Sequence, residues 1–160
     1  MKEFIDATIF MGMHSSDEKI RIACKNFFVE RTKKTVFMSL ENVGKCDDVI
    51  WKFDREAQDA YFPFMDRIHT IMDIQRIPYD EQTLEKRKRN DKLSIFQQLS
   101  LSQSEKGKLF TLDEVLLNLK LDFLTSPQIN NEEKNFFGEL ETSYQESLIL
   151  RVADIEHLNQ

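Results

Sequence analysis

The 160 residues carry 22 Lys and Arg against 28 Asp and Glu, a formal charge of −6, with 41% hydrophobic and 31% charged residues. That balance excludes a disordered tail, and 4 Gly with 3 Pro exclude a collagen-like or many-turned all-β chain. No run approaches the roughly 18 apolar residues of a membrane span, and an acidic chain has no general affinity for phosphate backbones.

Short apolar runs alternate with helical patterns, the mark of βα units, and residues 1–160 read as one domain. Phe4–Phe10 reads as a first strand, followed by a helix from Ser15 with an apolar stripe of Ile20, Ala23, Cys24, Phe27 and Phe28. Ser15 and Glu18 fit a capping box, and Arg31, Lys33 and Lys34 suit the helix's C-terminal end. Thr35–Ser39 is a second strand running into a helix over Leu40–Trp51. Another helix spans Asp54–Thr70, with Phe62, Met65, Ile68 and His69 inward and Pro63 as a kink or a join.

Met72–Ile77 reads as a third strand, with helix continuation to Ile74 as the alternative. A charged helix then opens at Asp80 and runs towards Leu99. Ser100–Lys108 is polar and reads as an exposed loop. Thr111–Lys120 is helical, with Thr111 and Glu114 as a second capping box and Val115, Leu116 and Leu119 on one side. Leu121–Thr125 is a fourth strand, stopped by Pro127 and Asn130-Asn131. A helix from Glu132 and a strand over Leu148–Val152 follow. The whole is an α/β fold, a three-layer α/β/α sandwich around a mostly parallel sheet of four or five strands.

The common phosphate loops, nucleophile elbows and zinc motifs are absent. His14, His69 and His157 share no metal-type spacing and read as surface or half-buried residues. Cys24 and Cys46 lack CxxC spacing and read as buried thiols of a cytoplasmic protein, and the opening residues, with Glu3 and Asp6, do not resemble a signal peptide. What remains is carboxylates. Asp6 stands in an apolar strand, where a charge is costly unless it is paired, metal-bound or at the strand's carboxyl end, where α/β sheets gather ligands. Glu41 begins a helix after the second strand, and Asp113 begins the helix before the fourth. Three converging carboxylates suit Mg²⁺ or Mn²⁺. The helix dipole alone also stabilises Glu41 and Asp113, with no metal required. Lys86, Arg87, Lys88 and Arg89 read as a solvated helix face or as a phosphate-contacting arm.

These segments resemble a family. FIDATIF resembles the first strand of PIN-domain nucleases, TVFMSLE their second strand with its helix-start Glu, and LFTLDEVLLNLKLDFLTSP their third segment, in which a strand ends in Thr-x-Asp. The resemblance spans nearly the whole chain. It implies a PIN-like ribonuclease that cleaves single-stranded RNA with metal-activated water. In that reading Asp6, Glu41 and Asp113 are the catalytic acids and hold Mg²⁺ or Mn²⁺, and Thr8, Thr125 and Ser126 support them. Lys86, Arg87, Lys88 and Arg89 contact the nucleic acid, and an antitoxin-like protein is a further partner. Pro127 stands where the family has a fourth acid. Together with the charge of −6, that departure points to the alternative, a catalytically inactive PIN-like binding or regulatory protein. A plain α/β interaction module, its acids all helix caps, is the third reading.

Overall fold

The computed structural model describes residues 1–130 and 132–159; Asn131, expected in the turn after the fourth strand, lies outside the described residues. The strands are β1 Glu3–Ile5, β2 Thr35–Ser39, β3 Asp73–Ile77, β4 Lys108–Phe110 and β5 Leu124–Thr125. They form one all-parallel sheet in the order β3-β2-β1-β4-β5. The helices are α1 Ala7–Gly12, α2 Glu18–Val29, α3 Leu40–Trp51, α4 Arg55–Ile71, α5 Glu81–Lys86, α6 Ile95–Ser104, α7 Glu114–Leu117 and α8 Glu139–Ser147, and a 3-10 turn covers Ile155–His157.

Neighbouring residues of a strand enter opposite cores, as a two-residue repeat requires. Ile5, Val36, Met38 and Phe110 join a large core with side chains of α1 to α4 and α8. Phe4 and Leu109 join a smaller core with Leu93 and Leu116, against which Phe37, Leu101 and Phe123 also rest. Helices therefore cover both faces, and the fold is a three-layer α/β/α sandwich. The chain moves outward from β1 to β2 and β3, then returns to place β4 on the other side of β1. That reversal opens a crevice at the carboxyl ends of β1 and β4, where open α/β sheets bind ligands.

Several boundaries differ from the sequence reading, each for a local reason. The first strand ends at Ile5, because Asp6 is extended and caps α1 by accepting from the Thr8 amide. Helix α2 starts later than Ser15: Asp17 is its cap, and Glu18 pairs with Arg21 and Arg151 instead of closing a capping box. Pro63 lies inside α4 without ending it, and Asp73–Ile77 is strand rather than helix. The long charged helix stops at Lys86, so Arg87, Lys88 and Arg89 lie in a loop that ends at Ser94, the cap of α6. The expected loop over Ser100–Lys108 is largely the end of α6 and the start of β4. Gly107 allows that strand, since a Cβ there would collide with the Lys2 carbonyl oxygen. Asp113, not Thr111, caps α7, and that helix ends at Leu117. The fourth expected strand shrinks to Leu124–Thr125, and the helix expected from Glu132 begins at Glu139. In place of a strand over Leu148–Val152 there is a single bridge from Val152 to Ser15.

The thiols of Cys24 and Cys46 are free and buried. His14 departs from the surface or half-buried reading: it is fully enclosed, with Nε2 2.7 Å from Ser147 Oγ and its ring against Tyr61, Phe64 and Tyr144. Burial, helped by the charges of Arg151 and Arg21, pushes its pKa down to about 3. No helix among the described residues is long and apolar enough to cross a membrane.

Candidate functional site

Asp6 follows β1 and Asp113 follows β4, so the two carboxylates stand at the crevice between adjacent strands, and both are fully buried. Asp6 Oδ1 accepts from the Thr8 amide (3.0 Å) and from the Thr8 hydroxyl. Its Oδ2 accepts from the Thr111 hydroxyl and from Asn159 Nδ2 (3.1 Å). The threonines are themselves tied in: Thr8 Oγ1 accepts from the Leu112 amide (2.8 Å), and Thr111 Oγ1 from the Asp113 amide (3.0 Å). Asp113 Oδ1 caps the amides of Val115 (2.9 Å) and Leu116 (3.3 Å), and its Oδ2 accepts from Gln97 Nε2 (2.8 Å).

Every partner of these carboxylates is a neutral donor. Burial pushes the Asp6 pKa up from 3.8 to about 6; the hydroxyls of Thr111 and Thr8 oppose the rise, and the charge of Asp113 adds to it. Burial among neutral donors favours the neutral acid more than water does, and hydrogen bonds to the carboxylate recover only part of the loss.

Glu41 is not in this pocket. It is exposed on the first turn of α3, and the next residue, Asn42, is the buried one. Asn42 Oδ1 accepts from the Ala7 amide (2.9 Å) and its Nδ2 donates to Ser39 Oγ (2.8 Å), joining the ends of β1 and β2. The structure thus brings together Asp6, Asp113 and Thr8 and leaves Glu41 outside. Thr125 and Ser126 do not support a carboxylate: the Thr125 hydroxyl donates to the Ser126 carbonyl (3.4 Å), and Ser126 is exposed. Both line a groove of about 360 Å³ with Phe27, Arg31, Lys108 and Pro127, and neither Asp6 nor Asp113 borders it.

The residues missed from sequence are Thr111, Gln97, Asn42 and Asn159. One signal did exist. Asp6-Ala7-Thr8 and Thr111-Leu112-Asp113 are the same pair in reverse order, after two strands that prove to be neighbours. Asn159 gave no signal, being 153 positions from Asp6.

This arrangement does not fit a divalent cation. Mg²⁺ and Mn²⁺ need oxygen lone pairs, and both oxygens of Asp6 already accept two hydrogen bonds each, while Asp113 accepts three. Among the described residues no group of three or more His, Cys, Asp or Glu is placed to hold a metal ion.

The basic run borders the same region through α6. Lys86, Lys88, Arg89 and Lys92 are exposed and Arg87 half-buried. None of the five makes an ion pair among the described residues. Their loop leads to Ser94, whose Oγ donates to the Asn159 carbonyl (3.3 Å), and to Gln97, which holds Asp113.

Residues 1–157 match the model of a family of unknown function, DUF6190, and the chain belongs to that family. No curated protein and no solved structure matches it.

Proposed function

We propose that this chain is a PIN-like domain that acts by binding, as a regulatory protein, rather than by metal-dependent hydrolysis of RNA. One observation carries the reading: two hydroxyls, a main-chain amide and a side-chain amide take both oxygens of the fully buried Asp6. A metal would have to displace these donors to reach the carboxylate. Pro127 in place of a fourth acid, and Glu41 on the surface, support the same view. The architecture contributes only analogy, since one fold serves many functions.

Calorimetric titration of the whole chain with Mn²⁺, beside incubation with single-stranded RNA, tests the reading. Neither binding at millimolar Mn²⁺ nor cleavage is expected, and Pro127→Asp should be equally inert. Mn²⁺ uptake with cleavage that Asp6→Asn abolishes would return the chain to the ribonucleases, with Asp6, Glu41 and Asp113 as its acids.

A further inference from the structure

Beside the basic loop lies an apolar cavity of about 170 Å³, floored by Leu101, Leu121 and Phe123 and rimmed by Lys86 and Lys88. A second, polar cavity of about 130 Å³ adjoins it along α6, sharing Lys86, Ser102 and Glu105 and adding Lys106. We infer that this two-part groove is a docking site for an acidic peptide segment of a partner protein, which seats one apolar side chain in the first cavity and a carboxylate at the second. The inference rests on the binding reading above and gives it a partner.

Charge complementarity carries the choice of occupant. The chain is acidic overall, at −6, yet residues 86–92 hold five cations against one acid, Asp91. Of the five, Lys86 and Lys88 line the groove, where with Lys106 they stand against Glu105 and Asp80, the latter capping α5 at the Thr83 amide (2.7 Å). An acidic segment is steered to the basic lip and repelled elsewhere, and the apolar floor then selects among acidic segments by their anchor residue. Leu121 is 40% exposed, so part of that floor meets water until something covers it.

A single-stranded nucleic acid fits less well. Its bases gain most of their affinity by stacking on exposed aromatic rings. Here the one ring, Phe123, is half-buried against the smaller core, and the well-exposed rings of Trp51 and Phe137 belong to α3 and to the segment before α8.

The test uses fluorescence anisotropy on the whole chain, with a labelled Glu/Asp-rich peptide bearing one Leu as the probe. The expected result is saturable binding that weakens with salt. Binding should fall by about ten-fold or more when the peptide's Leu becomes Ser, and by a similar factor in the chain variant Lys86→Glu/Lys88→Glu. Leu121→Glu, a change at a partly exposed position, should lose binding while circular dichroism stays unchanged. Binding that ignores the Leu, no binding at millimolar peptide, or tight binding of an equally charged RNA oligonucleotide in its place would each overturn the inference. A chain that ignores both peptide and Mn²⁺ loses this groove but keeps the non-catalytic reading; only Mn²⁺-dependent cleavage removes that.

Discussion

Lys25 and Asp6 are both fully buried ionisable side chains, and the protein satisfies them in opposite ways. Lys25 Nζ meets Glu133 (2.6 Å) and Glu141 (3.0 Å) and lies 4.8 Å from the centre of the Tyr144 ring. Arg21 joins the cluster through Glu133 and Tyr144. Hydrogen bonds from Arg21, with Lys25 adding to them, hold the Glu133 carboxyl down at about 2, so that carboxylate stays ionised through the neutral range. Asp6 has only neutral donors, and burial leaves it with a pKa of about 6. Opposite charges fix a geometry at any ordinary pH, whereas dipoles alone leave a buried acid within reach of its proton. The first arrangement clamps the segment ahead of α8 to α2, as Asn26 also does with the Glu132 carbonyl and the Lys134 amide. The second makes a closed, protonatable pocket.

The largest effect that can break this contrast is Lys25→Ala, which leaves Glu141 without its cation and Glu133 with Arg21 alone, and should cost about 3–5 kcal/mol in denaturant unfolding. Lys25→Met removes the same charge but keeps much of the volume, so it should cost less. Equal losses would show that the cluster stabilises by charge and not by packing.

Asp6→Asn should reveal a pH-dependent term of about 3 kcal/mol, from the rise of 3.8 to about 6. The sign follows from proton binding. Folded Asp6 holds its proton more tightly than unfolded Asp6, so its contribution is fully present below pH 3.8 and is lost as pH rises through 6. The stability difference between wild type and Asp6→Asn should therefore move against wild type between about pH 4 and pH 7, read from unfolding curves at several pH values. A flat difference would mean that Asp6 is held ionised by something other than these donors.

Gln97→Ala leaves Asp113 Oδ2 without its partner inside the protein and should cost about 1–3 kcal/mol. Asn159→Ala should cost about 1 kcal/mol and raise the Asp6 pKa further, since it removes a donor to the carboxylate. Both are measurable by the same unfolding series. The smallest expected effect is none: millimolar Mn²⁺ should leave the Tm unchanged, whereas even a site half-saturated at that concentration would raise it.

How far the sequence could be read depended on the range of the interaction that decides each element. Thr35–Ser39 and Leu40–Trp51 have the expected boundaries because Ser39 carries a local signal, its hydroxyl capping the Asn42 amide. The turn at Asp6 was obscured because all six residues of α1 are buried, and an apolar run without a polar face has no period to separate helix from strand. Asp6 and Asp113 were legible as acids placed beside strands, Asp6 within the run read as the first strand and Asp113 at the helix start before the fourth, although β4 itself was not legible. Glu41 was misplaced because adjacent helix residues point about 100° apart, and the inward one is Asn42. Gln97 and Asn159 come from elements whose position no local pattern announces.

The bond between Asn159 and Asp6 also has a consequence for the order of assembly. Synthesis at about 5–20 residues per second separates the two positions by roughly ten to thirty seconds. Through that interval Asp6 lacks one of its donors, and until β4 emerges it lacks Thr111 as well. The nascent chain therefore carries Asp6 as a hydrated, ionised group, which takes on its high proton affinity only when the two distant segments close over it. Chains truncated after Ala153, where the last segment no longer covers Asp6, are expected to show a lower Asp6 pKa by carboxyl-carbon NMR, and a raised value, as in Asn159→Ala, would mean that the pocket closes without its last donor.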